Sequence, residues 1–225
     1  MSTETKMNPG KMERTTRRET GSGFYARRVL PWLIEIAMRN KEATRYRERV
    51  IPRATGRVLE VGIGSGLNLP FYGAGVSHLF ALEPSPELRR MAGRRTRDTG
   101  FTVEFIDRPA EEIPLERASV DTVVTTWTLC TIPDADRALQ EMRRVLKPAG
   151  VLLFVEHGLA PDAGVRAWQR RLNPLWNRIG GGCNLDRKID ELIARSGFRL
   201  GELETEYVKG LKPMSFTYSG WARPV

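Results

Sequence analysis

Val58-Leu59-Glu60-Val61-Gly62-Ile63-Gly64-Ser65-Gly66 is an apolar strand that runs into glycine at every second position, and its reading decides the fold. A glycine has no Cβ, so backbone at 62, 64 and 66 can approach a ligand that any side chain would hold away. A nicotinamide fingerprint, G-x-G-x-x-G counted from Gly62, would need its third glycine at 67, where the chain has Leu67. Glycines alone also suit a tight structural turn. Seventeen positions past Gly66, the next apolar stretch ends in Ala81-Leu82-Glu83-Pro84-Ser85, and a carboxylate there can accept hydrogen bonds from both hydroxyls of a ribose.

Around this loop, strands and helices alternate. Strands are expected at Arg57 to Val61, Ser77 to Leu82, Thr102 to Ile106, Ser119 to Thr125 and Val151 to Val155, with helices at about Pro86 to Arg97 and Asp134 to Leu146. Such alternation implies right-handed crossovers and a parallel sheet covered on both faces. Two longer extended runs, Phe198 to Thr205 and Ser215 to Ala222, read as a hairpin-like pair at one edge. Upstream, residues 1–23 are polar and charged like a disordered basic tail, whereas 24–50 set apolar residues at roughly helical spacing. One or two amphipathic helices are expected there, packing their apolar face on the main domain and capping the site. The domain proper is expected over 51–225.

The pattern Glu60-x-Gly62-x-Gly64-x-Gly66 followed by Glu83 resembles motifs one and two of the class I methyltransferases. The resemblance implies a Rossmann-like α/β fold: a seven-stranded, mostly parallel sheet with a C-terminal antiparallel hairpin and helices on both faces. It implies S-adenosyl-L-methionine as cofactor, with the glycine loop under its methionine and ribose, Glu60 toward the methionine ammonium and Glu83 on the ribose. Asn68, Pro84 and Thr126 flank these positions and are read as part of the same cradle. Relatives place an acid before the Ala-Glu pair for the adenine amino group; here Pro109 stands there, leaving the Ala110 backbone, with Glu111 or Asp107 as substitutes. Glu111 and Glu112 also suit a helix start.

For the acceptor, Thr125-Thr126-Trp127-Thr128-Leu129-Cys130 lacks the Asn or Asp, Pro-Pro and aromatic of relatives that methylate adenines or amides. Phe154-Val155-Glu156-His157, Pro174-Leu175-Trp176 and Gly182-Cys183-Asn184-Leu185 resemble in order and spacing a subgroup that includes membrane-associated alkyl-thiol methyltransferases, whose N-terminal anchor is not read in this chain. That likeness implies a small, apolar thiol; O-, C- or N-methylation of a phenol, quinone precursor or amine lipid is the enzymatic alternative. His157 is the candidate base or proton guide, with Glu156 as alternative or orienting partner. A structural histidine at a strand end accounts for it equally well. Trp127, Cys130, Trp168, Trp176 and Asn184 are the candidate pocket residues, the segment from Leu159 to Asn184 being read as a substrate cover.

Composition sets the bounds. The 225 residues suffice for one substantial core, and no apolar run approaches the length of a bilayer span. The polar start lacks an apolar signal segment, so a cytoplasmic address is expected. Cys130 and Cys183 are then expected as buried, reduced thiols, and neither His78 nor His157 joins a cysteine or carboxylate cluster at zinc-ligand spacing, so no metal is expected. Of the net charge of +9, the first 56 residues carry +7, from thirteen Lys and Arg against six Glu. Without aromatic interleaving this reads as a solvated basic arm, in peripheral contact with a membrane at most, and no stable nucleic-acid partner is expected. The non-catalytic alternative is a cofactor-binding module that docks through this arm on nucleic acid or membrane.

Overall fold

The computed structural model describes residues 29–225. The tail expected at 1–23, and positions 24–28 of the helical segment, lie outside the described residues. Seven strands form one sheet: β1 (Gly56–Val61), β2 (Val76–Leu82), β3 (Thr102–Ile106), β4 (Val120–Thr126), β5 (Leu146–His157), β6 (Phe198–Tyr207) and β7 (Phe216–Pro224). Their spatial order is β3-β2-β1-β4-β5-β7-β6. The first five run parallel, and β7 pairs antiparallel with both β5 and β6. The order reverses between β1 and β4, and a ligand crevice opens outside the carboxyl ends of the strands at such a switch point.

Both faces of the sheet are buried, which is why the strands read as continuous apolar runs. Leu59, Val61, Leu82, Val123, Leu152 and Phe154 turn to one core, shared with Leu139 and Met142 of α4 (Ala135–Val145) and Ile193 of α6 (Ile189–Arg195). Val58, Leu79, Ala81, Val124, Leu153 and Val155 turn to the other, against Ala92 of α3 (Pro86–Arg95) and Tyr46 and Val50 of α2 (Lys41–Val50). The helices begin where side chains can cap them: Ser85 accepts from Leu88 N, Asp134 from Arg137 N and Asn40 from Ala43 N.

Two expectations change. Strand β5 starts five residues before Val151, because Leu146 pairs with Val120 across a register irregularity that absorbs Pro148. The second concerns α1 (Leu30–Met38), which does not lay an apolar face on the domain: Trp32, Leu33 and Ile36 are exposed while Glu35 is buried. The Glu35 carboxylate receives Arg95 at 2.6 Å, Arg39 at 2.5 Å and the Ser65 hydroxyl, so α1 is clasped to the glycine loop by charge. Helix α2 behaves as expected, burying Ala43, Tyr46 and Val50. Its Arg45 and Arg49, and Arg53 just beyond it, are tied across the surface to Glu206, Glu204 and Glu202 of β6 rather than standing free in solvent.

Candidate active site

A cavity of about 1010 Å³ opens beyond the carboxyl ends of β1, β2, β4 and β5, roofed by α1, α2 and the C-terminal end of α5 (Ala163–Ile179). Its floor is the glycine loop. Gly62 and Gly64 line it with φ of +74° and +57°, and a Cβ on Gly64 would meet nothing nearer than the Gly62 carbonyl at 4.0 Å, so its missing side chain leaves open cavity. A Cβ on Gly62 would strike Thr128 at 2.5 Å. Gly66 is off the cavity wall; there a Cβ would come within 2.9 Å of Leu69 and 3.1 Å of the Ala92 backbone, so this glycine lets the loop pack on α3.

Glu83, at the end of β2, is buried on the cavity wall. Its Oε2 accepts from Gly64 N at 3.1 Å and its Oε1 from Ser85 N at 2.9 Å, which fixes the carboxylate and leaves lone pairs for a ligand. Burial raises its pKa, and the two amides oppose that rise. Pro84, Asn68 and Thr126 also line the cavity. Glu60 does not: it is fully enclosed, accepting from Asn68 Nδ2 at 2.7 Å and from the Tyr72 hydroxyl at 2.8 Å. Desolvation pushes its pKa up to about 7 against those bonds and Arg47. Its place is therefore beneath Asn68, which also donates to Thr126 Oγ1 at 3.0 Å and accepts from Arg47 Nε at 2.9 Å.

Arg47 is the residue that sequence reading missed. It is buried, lines the cavity, donates to the Met38 carbonyl at 2.8 Å and lies 5.1 Å over the Trp127 ring. Burial lowers its pKa to about 10, with Glu60 and Glu35 opposing. Within Arg45-Tyr46-Arg47-Glu48-Arg49 it was indistinguishable from its paired neighbours; only its phase on the apolar side of α2, next to Tyr46, could have marked it. Trp127 lines the cavity with φ of +51°, unusual for a bulky residue, and one face of its ring is already taken by this protein cation.

At the adenine end of the expected site, Pro109, Ala110 and Glu111 line the wall, and Glu111 also accepts from Asp134 N at 3.2 Å. Asp107 is not on that wall; it is exposed and paired with Arg89 at 2.6 Å. At the other end, Cys130, His157, Trp176 and Cys183 line the cavity, and the Trp176 Nε1 is buried without a hydrogen-bond partner. Trp168 is 56% exposed on α5 and off the wall. Asn184 is off it too, since its side chain and backbone both donate to the Cys130 carbonyl, at 2.9 and 2.8 Å. Glu156 lies behind the cavity, where Oε1 accepts from Thr125 Oγ1 at 2.8 Å and Thr128 N at 3.1 Å and so shapes the loop after β4. Both cysteines are buried free thiols, as expected. The ligand atoms of Cys130, His157 and Cys183, scattered in sequence, come within 4.8 Å of one another.

A family model described as a methyltransferase domain matches residues 59–154. Thiol S-methyltransferase TMT1B of Homo sapiens is 36% identical over 159 residues, covering 68% of this chain and 65% of that protein. TMT1A of Homo sapiens is 29% identical over 199 residues, covering 86% and 79%. The match thus spans a little under two thirds of the length of TMT1B. A putative methyltransferase from Bacillus halodurans shares the fold with a TM-score of 0.66 at 16% identity, over 83% of this chain and all of that one. Residues 59–154 thus carry a methyltransferase domain, on the class I methyltransferase fold.

Other relatives of this chain are named phosphatidylethanolamine N-methyltransferase, from Cereibacter sphaeroides, and demethylmenaquinone methyltransferase, from Clavibacter sepedonicus. The family's cofactor is S-adenosylmethionine. The residues present fit it: an open cradle over Gly64, a fixed carboxylate at Glu83 and a backbone wall at Pro109 and Ala110 border one cavity. Among the described residues, no helix is long and apolar enough to cross a membrane.

Proposed function

We propose that this methyltransferase moves the methyl group of S-adenosylmethionine to a small, apolar thiol. The observation that carries the reading is the single cavity that joins the Gly62–Gly64–Glu83 cradle to an apolar pocket with Trp127, Trp176, Met214 and two thiols on its wall. The named activity of the TMT1 relatives supports the thiol over other acceptors. When bound, the cofactor supplies a methyl group already activated on positively charged sulfur. The chain's own part is then alignment and exclusion of water. Glu83 receives the ribose hydroxyls, the Ala110 backbone borders the base, and Asn68, pinned by Glu60 and Arg47, holds the methionine end. Helices α1 and α2 roof the acceptor side, which His157 borders.

A larger apolar acceptor, a quinone precursor or an amine lipid, is favoured by one feature: Leu33, Ile34, Ile179 and Leu211 line the cavity while remaining partly exposed. The two readings separate in one radiolabelled methyl assay that offers alkyl thiols, phenols, quinone precursors and amine lipids together. Label in the thioether is the expected result. Label only in another acceptor overturns the thiol, and cofactor binding without any S-adenosylhomocysteine formed would favour a non-catalytic module. In calorimetry, Glu83→Ala is expected to weaken cofactor binding about 10- to 100-fold, the worth of hydrogen bonds to a charged group.

A further inference from the structure

The cluster at the acceptor end of the cavity has no part in holding the cofactor. Cys183 Sγ and His157 Nε2 are 3.0 Å apart, and Cys130 Sγ completes a triangle with no side above 4.8 Å. A tetrahedral zinc ion, with Zn–S about 2.3 Å and Zn–N about 2.0 Å, needs its ligand atoms about 3.6 to 3.8 Å apart, so rotamer adjustments of about 1 Å would seat one. The loops that carry the two cysteines are tied together before any ligand arrives. Asn184 holds the Cys130 carbonyl with two hydrogen bonds, and Asn177 Nδ2 of α5 holds the Gly182 carbonyl at 2.7 Å. Gly181 and Gly182, at φ of +68° and +93°, let the chain turn so that Cys183 points back at His157. The imidazole Nδ1 is buried without a hydrogen-bond partner, and Nε2 faces Cys183 Sγ.

We propose that Cys130, His157 and Cys183 bind zinc, with the fourth coordination position open to the acceptor cavity, where it takes the sulfur of a thiol. A Cys₂His set with one open position is a known form of catalytic zinc, and soft thiolate donors select zinc over magnesium or calcium. On binding, Cys130 and Cys183 each release a proton to solvent, and the resulting site is neutral. The acceptor thiol releases a third proton as it binds, so a thiolate is present at a pH where the free thiol, with pKa near about 8.5, is mostly protonated. What fills the fourth position rests on the thiol reading above; the three-ligand site itself does not.

The test uses the reduced 225-residue chain and Co²⁺ as probe. Expected are one equivalent bound, visible bands of a tetrahedral centre, a near-ultraviolet thiolate-to-cobalt band, and displacement by Zn²⁺. Cys183→Ser, Cys130→Ser and His157→Gln should each weaken Co²⁺ binding at least on the order of tenfold, as loss of a ligand requires, while calorimetry shows cofactor uptake retained and the fold intact. A small alkyl thiol should shift the visible bands. A folded, reduced protein that takes up no Co²⁺ overturns the site, as does a Cys130–Cys183 disulfide, seen as a loss of two mass units, that returns in air despite excess Zn²⁺. Thiol methylation undiminished in metal-stripped protein overturns the acceptor sulfur at the fourth position and leaves the thiol reading standing. A cobalt site with no thiol methylated would overturn the thiol reading and leave the three-ligand site standing.

Discussion

Gly64 and Gly66 differ by two positions in sequence and face opposite constraints. At Gly64 an added methyl would find open cavity, so Gly64→Ala should cost only the strain of φ +57°, about 1 kcal/mol, or about 2 to 4 °C in Tm. The same methyl would occupy the cofactor floor, and calorimetry should show binding largely lost. At Gly66 it would collide with Leu69 and Ala92, so Gly66→Ala should cost about 2 to 4 kcal/mol in thermal denaturation. Equal effects of the two on Tm would refute this division. Glu60 gives a pH signature. Its folded pKa, about 7, lies above the ordinary 4.5, so between these values the folded state holds more protons than the unfolded one and stability falls as pH rises. Glu60→Gln should flatten that stretch of a Tm-against-pH curve, and an unchanged slope would show that the carboxyl does not titrate there.

At the scale of elements, the roof is held by two different devices. Four residues of α2 rise about 6.0 Å and two residues of β6 about 6.8 Å, so arginines at 45 and 49 stay in step with glutamates at 206 and 204, and Arg53, in the turn after α2, continues the row to Glu202. These exposed pairs contribute about 0.2 to 1 kcal/mol each and fix orientation more than stability. The α1 clasp is a buried charge. Although desolvation works against it, the bonds from Ser65, Arg95 and Arg39 keep the Glu35 pKa below 4.5. A depressed folded pKa means that the stabilisation is present above pH 4.5 and disappears as pH falls through the folded value. Protection of the Leu30–Met38 amides, relative to the exchange rate of an unstructured chain at the same pH, should therefore fall in acid. At pH 7, Glu35→Gln should speed their exchange on the order of tenfold while β1 and β4 remain protected. Uniform protection of α1 in both proteins would remove the clasp.

Across the whole molecule, one sheet divides the labour. Its parallel half, with the β1/β4 reversal, makes the cofactor crevice, and the antiparallel β7-β6 edge anchors α2, which carries Arg47 and Tyr46 into the same cavity. That end of the cavity is thus enclosed only when α1 and α2 meet the β7-β6 edge. Removing residues 1–40 should lower acceptor turnover at least on the order of tenfold by admitting water. The α2 contacts to β6 would remain, and a far-ultraviolet spectrum should show a folded sheet. Unchanged turnover in that truncation would show that α1 is not part of the enclosure.

Read alone, the sequence determined the alternation of strands and helices, the glycine loop and the acid that ends β2, because each is written in local terms: apolar runs, missing Cβ atoms and a carboxylate at a strand end. Only the tertiary structure decided that Glu60 and Glu156 lie behind the cavity, that Trp168 faces outward, that Arg47 enters while its neighbours pair with β6, and that Cys130, His157 and Cys183 converge. Those outcomes depend on which loops meet beyond the sheet and which side of a helix is covered. Residues more than 25 positions apart share no local pattern from which such meetings could be read.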